Sequence, residues 1–188
     1  MYRIFLITLS SLLLLFLKIG LVNAAEKPDM YHLHQGDKVL ISVWREESLQ
    51  KEVMVLPDGS VTFPLIGRVE VAGLSTPEVE QNITKKLKAY FSDPIVTVVI
   101  VGIDGNRAYV TGKVMHPGPV IINGPMTALQ AISMVGGFDK FADESSIKVI
   151  HAKPDGQSIS PVDYKDIISG KNLSTNIQLT AGDTVVVP

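Results

Sequence analysis

Hydrophobic and polar residues follow three different rhythms along this chain. Val39, Ile41 and Val43 alternate with more polar neighbours, the period-2 pattern of a strand with one buried face. Gln35-Gly36-Asp37 supplies a turn just before them. Residues 53–63, VMVLPDGSVTF, predict two short strands around Pro57-Asp58-Gly59. There proline presets φ and glycine accepts a positive φ. Phe63 to Gly67 closes that hairpin, and Arg68 to Val71 starts another strand. The period then lengthens. Ser75-Thr76-Pro77-Glu78 reads as a helix start, with Ser75 or Thr76 as cap, Pro77 at the first helical position and Glu78 near the positive end of the dipole. Val79, Ile83, Leu87 and Tyr90 form one apolar stripe, and Asp93-Pro94 ends the helix. Pro94 to Val101, PIVTVVIV, is a β-branched run expected to form a well-buried strand.

Gly102-Ile103-Asp104-Gly105-Asn106 is a turn cluster and the expected domain boundary. Beyond it, Ala108 to Val114 predicts a strand, Met115-His116-Pro117-Gly118-Pro119 a tight turn, and Val120 to Ile122 a short strand. Thr127 opens a helix carrying Leu129, Ile132 and Val135, which Gly136-Gly137 terminates. Ile147 to Ile150 is a strand with its turn at Pro154-Asp155-Gly156, and Leu179 to Pro188 is the last strand. Strands arrive in hairpin groups and not in regular βαβ alternation. The expected fold is therefore α+β, with two small β-rich domains over 30–102 and 106–188, each with one helix.

The third rhythm is continuous. Ile4 to Leu17 is apolar but for Thr8, Ser10 and Ser11, Arg3 precedes it, and Val22-Asn23-Ala24 places small side chains at a peptidase site. Residues 1–24 thus read as a secretory signal peptide, cleaved near Ala24. An uncleaved anchor is the alternative, although Lys18 interrupts the run before the roughly 20 residues a spanning helix needs. The chain has no cysteine, which removes a disulfide framework, a Cys-ligated metal and a lipid-modified Cys at Ala25. The 164 residues after Ala24 carry 15 basic and 19 acidic side chains, a net charge of −4. That balance leaves no electrostatic footprint for nucleic acid.

Motifs for catalysis are sparse. The chain has no Lys-Ser/Thr phosphate loop, no GxGxxG and no GxSxG. His32 and His34 can share one strand face, but a zinc site needs three or four ligands, and no HExxH accompanies them. His116 and His151 are expected to be structural or surface residues. Glu46-Glu47 and Asp143-Glu144 are adjacent acid pairs, whereas a glycosidase sets two carboxyls across a cleft. Both pairs are expected to be solvated charge on loops. Trp44 and Tyr31 could stack on sugar rings, but each is expected to serve the core or an interface. Asn82-Ile83-Thr84 and Asn172-Leu173-Ser174 match the glycosylation sequon without further support. No enzyme, catalytic residue, metal or cofactor is expected.

The order of the punctuating motifs is more specific than any one of them. Tyr31-x-Leu33-x-x-Gly36-Asp37-x-Val39-x-Ile41-x-Val43 is followed by Pro57-Asp58-Gly59-Ser60-Val61, Pro64-Leu65-Ile66-Gly67 and Val71-x-Gly73-Leu74-Ser75. The capped helix, Tyr90 and Asp93-Pro94-x-Val96-x-Val98 come next. This series resembles the polysaccharide export domain of the outer-membrane polysaccharide exporters. The second half is similar to their β-grasp ligand-binding (SLBB) domain. It carries Val110-x-Gly112-x-Val114, Pro117-Gly118-Pro119, Thr127-Ala128-Leu129-x-Ala131-Ile132, Gly136-Gly137, and Leu179-x-x-Gly182-Asp183-x-Val185-x-Val187-Pro188.

The resemblance implies a short form of that family, with one domain of each kind. It implies a periplasmic part of capsule or exopolysaccharide export, associated with the outer membrane through partners. Those partners would be the exported polysaccharide, further copies forming a homo-oligomeric ring, an inner-membrane polysaccharide co-polymerase, and a separate outer-membrane barrel. The alternative is a monomeric periplasmic glycan-binding module. No sugar-contacting residue follows from the resemblance, and Gly36-Asp37 and Gly182-Asp183 read as similar fold-setting turns.

Overall fold

The computed structural model describes residues 30–153 and 156–188, so the proposed leader over 1–24 and the Pro154-Asp155 part of a turn lie outside the described residues. Strand β1 (Lys38–Val43) shows the expected alternation, with Val39, Ile41 and Val43 buried. It is the middle strand of a three-stranded antiparallel sheet, between β2 (Glu46–Met54) and β5 (Val96–Gly102). The β2 strand differs from expectation. Residues 53–56 form no ladder with 60–63, the link across the turn being Leu56 N donating to the Ser60 carbonyl at 2.8 Å; β2 runs back along β1, while β3 (Ser60–Phe63) pairs with β4 (Gly67–Glu70). Pro57-Asp58-Gly59 is still a turn, closed by Gly59 N–H donating to the Leu56 carbonyl at 2.8 Å.

Helix α1 (Thr76–Leu87) buries Val79, Ile83 and Leu87, each fully. Burying such side chains stabilises by roughly 2 kcal/mol apiece. Tyr90 falls beyond the helix end and is 56% exposed, so it does not extend the stripe. Strand β5 is buried on one face only. Val96 and Val98 point into the core, while Ile95, Val99 and Val101 face outward. The free edge of β5 is stoppered from α1, because Glu80 Oε1 accepts from Val98 N at 2.9 Å. Residues Leu33 to Val98 contribute this first core.

The second core is drawn from Ala108 to Val187. Strands β6 (Arg107–Gly112) and β7 (Gly118–Ile121) form a hairpin, followed by α2 (Ala128–Met134). Next come the hairpin β8 (Ile147–Lys153) and β9 (Gly156–Val162), a short helix α3 (Tyr164–Ile168), and β10 (Thr184–Val187). The sheet order is β7-β6-β10-β8-β9, antiparallel throughout except for the parallel pair β6–β10. First and last strands lying parallel at the centre, with a helix between the hairpins, is the β-grasp arrangement. The fold is α+β with two β-rich halves. Beyond the one helix expected in the second half there is α3, capped by Asp163 Oδ1 accepting from Asp166 N at 3.0 Å.

Glu78 links the α1 cap to pH. Its carboxylate accepts from Ser75 Oγ at 2.7 Å and Ser75 N at 2.8 Å, and these bonds, the hydroxyl first, hold it below the usual carboxylate range. A carboxyl depressed in the folded state contributes stability that is present above its unfolded pKa and lost as pH falls through the folded one. Glu78→Gln is therefore expected to lower the urea midpoint at neutral pH, with the gap to the native chain closing on acidification. Urea titrations across that range check it.

Candidate functional site

Two buried aspartates organise the loops. In each half a glycine with left-handed backbone, Gly36 (φ 94°) or Gly182 (φ 90°), turns the chain so that the next residue, Asp37 or Asp183, points inward. Side chains rarely adopt that φ, so glycine is the residue that fits there. Each aspartate Oδ2 then accepts from the backbone N–H three residues earlier, His34 N or Thr180 N, both at 2.8 Å. Each aspartate N–H donates back to the same residue's carbonyl at 3.1 Å. The two turns are thus the same device.

Asp37 does more than its counterpart. Tyr31 Oη donates to its Oδ2 at 2.6 Å, and Gly105 N donates to its Oδ1 at 2.9 Å. Gly105 lies in the segment between the two halves, so one buried carboxylate ties the β1 turn to the connection. The approach is close: a Cβ on Gly105 would stand 2.3 Å from the Gln35 carbonyl oxygen. The Lys38–Asp104 pair beside it is exposed and 3.8 Å apart, which adds little. Tyr31 is accordingly a structural partner of Asp37. Burial, then the hydrogen bond to Asp37 and its charge, raise the phenol well above its ordinary range.

The histidines separate into distinct roles. His34 Nδ1 lies 3.2 Å from Tyr31 Oη, while His32 is exposed and bridges to Ser75 through backbone. Among the described residues no group of three His, Asp or Glu side chains is placed to hold a metal. His116 is exposed, with its N–H on the Val135 carbonyl. His151 sits between Asp183 Oδ1, 3.1 Å from Nδ1, and Ser160 Oγ, 3.1 Å from Nε2. This repeats the acid, imidazole and hydroxyl order of a nucleophilic relay. The Asp183 contact is misaligned for a hydrogen bond, however, and the three clefts described next lie elsewhere.

One cleft of about 660 Å³ lies along Asn123–Gln130, with Met134 and Asn176. A second, about 440 Å³, is lined by Arg68, Glu70, Asn82, Lys85 and Lys86. Its cations are partly engaged: Lys86 Nζ donates to the Arg68 carbonyl at 2.9 Å, and Arg68 pairs with Asp58 at 3.0 Å. The third, about 250 Å³, surrounds Trp44 at the β1–β2 connection. Trp44 is not a core residue; it is 68% exposed. Glu46 and Glu47, expected on a loop, stand in β2 and line that groove. Asp143 is a surface residue whose carboxyl is held low by the Ser146 hydroxyl and the Ser145 N–H. Asn172 Oδ1 accepts from Ser174 Oγ at 2.6 Å within a local turn. Among the described residues, no helix is long and apolar enough to cross a membrane.

Residues 25–101 match the family model described as polysaccharide biosynthesis/export protein, and residues 106–187 match the SLBB domain model. The two matches in this order define the class: a polysaccharide export domain followed directly by an SLBB domain. The chain belongs to the polysaccharide biosynthesis/export family.

Among its relatives, the EPS I polysaccharide export outer membrane protein EpsA of Ralstonia solanacearum is 36% identical over 98 residues, 51% of this chain and 26% of that protein. The polysialic acid transport protein KpsD of Escherichia coli is 29% identical over 164 residues, 85% of this chain and 28% of KpsD. The exopolysaccharide production protein ExoF of Rhizobium meliloti is 22% identical over 175 residues, 86% of this chain and 41% of ExoF. The chain thus spans between a quarter and two-fifths of the length of these relatives.

Asp37→Asn replaces an acceptor-only group by one that also donates, facing three N–H or O–H donors. It is expected to cost about 3 kcal/mol of unfolding free energy. Gly105→Ala is expected to cost about 2 kcal/mol by forcing the connection off the Gln35 carbonyl. Urea denaturation followed by circular dichroism measures both, and changes below about 0.5 kcal/mol would refute the tie.

Proposed function

We propose that this chain is a periplasmic component of a capsule or exopolysaccharide export apparatus, working at the outer membrane. The observation that carries the reading is the unbroken succession of an export domain and an SLBB domain over 25–187. It is supported by relatives whose names record polysaccharide export, polysialic acid transport and exopolysaccharide production. Residues 1–24 act as a signal peptide cleaved near Ala24, and the working part comprises domains over 30–102 and 106–188. Copies of the chain assemble into a homo-oligomeric ring around the polymer path. An inner-membrane polysaccharide co-polymerase docks on one side, and a separate outer-membrane barrel on the other.

The mechanism needs no bond made or broken. A polymer that must keep moving is served by many weak contacts, since one tight site would hold it. Open clefts with mixed polar and apolar linings suit that task better than an enclosed pocket. The hydrogen bond from Gly105 N to Asp37 fixes the start of the connection between the two halves of each copy.

Mass photometry of the protein alone and with its co-polymerase tests the assembly, and N-terminal sequencing of the periplasmic form tests the leader. A discrete multimer and a terminus near Ala25 are the expected results. A strict monomer in both conditions would leave only a free glycan-binding module. Loss of surface polysaccharide on gene deletion, restored by the native chain, is the matching result in the host.

A further inference from the structure

The β1–β2 connection carries a combination found at no other described surface. Trp44 is the chain's single tryptophan, and 68% of it is exposed. Its neighbour Arg45 has a left-handed backbone (φ 66°) in a two-residue connection between paired Val43 and Glu46. Glycine or asparagine usually occupies such a position, and a branched-out side chain there costs on the order of 1 kcal/mol. Backbone held in that region by its surroundings is a pointer to function. Here the surroundings are visible: Trp44 N donates to the Ile95 carbonyl at 2.9 Å, fixing the tip against the entry to β5. The strain therefore presents Arg45 and Trp44 together, at the mouth of the 250 Å³ groove.

The lining decides the chemistry. Trp44 and Ile95 give an apolar wall, while Arg45, Glu46, Gln50 and Thr97 give donors and acceptors around it. A pyranose ring has the complementary make-up, with C–H faces for an aromatic platform and a rim of hydroxyls for side-chain amides and carboxylates. An aromatic side chain with an apolar body beside wet polar groups fits such an amphipathic partner. The volume is near the lower end of small-molecule sites, enough for one ring. One cation against Glu46 and Glu47 leaves the groove net negative, which disfavours an acidic sugar. Trp44 and Arg45 would also suit a protein-interface core, but such cores are depleted of acidic groups like Glu46 and Glu47.

We propose that the Trp44 groove is a subsite for one neutral hexosyl unit of the transported polysaccharide, with Trp44 as the stacking platform and Arg45, Glu46 and Gln50 as the polar contacts. This rests on the export reading and assigns it a contact site.

Because the chain has one tryptophan, its emission reports this groove alone. The full chain is titrated with hexasaccharides of glucose and of galactose, and with an α2,8-linked sialic acid hexamer. A neutral hexasaccharide is expected to give a saturable change in emission with half-saturation on the order of 1 mM, as about a dozen atoms in an open groove would provide. The acidic hexamer is expected to bind at least tenfold more weakly. Trp44→Ala is expected to abolish saturation transfer from protein to sugar while leaving the urea midpoint unchanged, because the side chain is outside the core.

Flat emission with both neutral sugars overturns the proposal, as does tighter binding of the acidic one. An emission change that follows protein concentration without sugar also overturns it, marking Trp44 as a contact between copies. If the protein still assembles with its co-polymerase and restores export while Trp44 stays silent, the groove assignment fails alone. A protein that neither assembles nor restores export overturns the export reading itself.

Discussion

The Asp37 carboxylate is the interaction on which the rest of the molecule depends. It is fully buried, and burying a charge is costly unless donors meet its lone pairs. Three donors arrive from three places: Tyr31 before the turn, His34 within it, and Gly105 in the connection between the two halves. Remove any one, and the others face an under-satisfied anion in a low-dielectric setting. The geometry of the connection is thereby tied to the geometry of the first strand, up to Gly105, whose carbonyl accepts from the first residue of β6, Arg107, at 3.1 Å.

Much of the fold could be read from the residues, for local reasons. Val39, Ile41 and Val43 report a one-sided strand because period 2 needs no knowledge of the partner. Ser75 and Glu78 report a helix start because the cap is built within four residues. β2 could not be read in the same way. Only Leu49 among its nine residues is buried, so it carries no alternation, and its turn uses Trp44-Arg45 where a glycine would have signalled one. The helix α3 is five residues long, too short for a stripe to form. The β5 run looked buried because β-branched residues occupy both of its faces, and only the tertiary arrangement shows that one face is open.

The site was less legible than the fold. Gly36-Asp37 and Gly182-Asp183 are visible as related turns, but the donor that distinguishes the first, Gly105, is 68 residues away. Nothing local to either position announces it. Trp44 follows a buried stretch, and residue type alone assigns it to a core. Its exposure comes from the tight β1–β2 connection, which leaves it no layer to pack beneath. Adjacent carboxylates at Glu46 and Glu47 likewise became groove residues only once β2 was seen to be a strand.

The central place of β10 has a consequence for the order of events as the protein is made. It lies between β6 and β8, so the five-stranded sheet remains two separate hairpins until residues 184–187 arrive. Before then, Val110 and Val149 have no strand between them, and closing the gap requires a long-range parallel contact, the slowest kind to form. The second half therefore cannot lock prematurely. Until that central strand arrives, the second half remains two hairpins that can still be pulled apart.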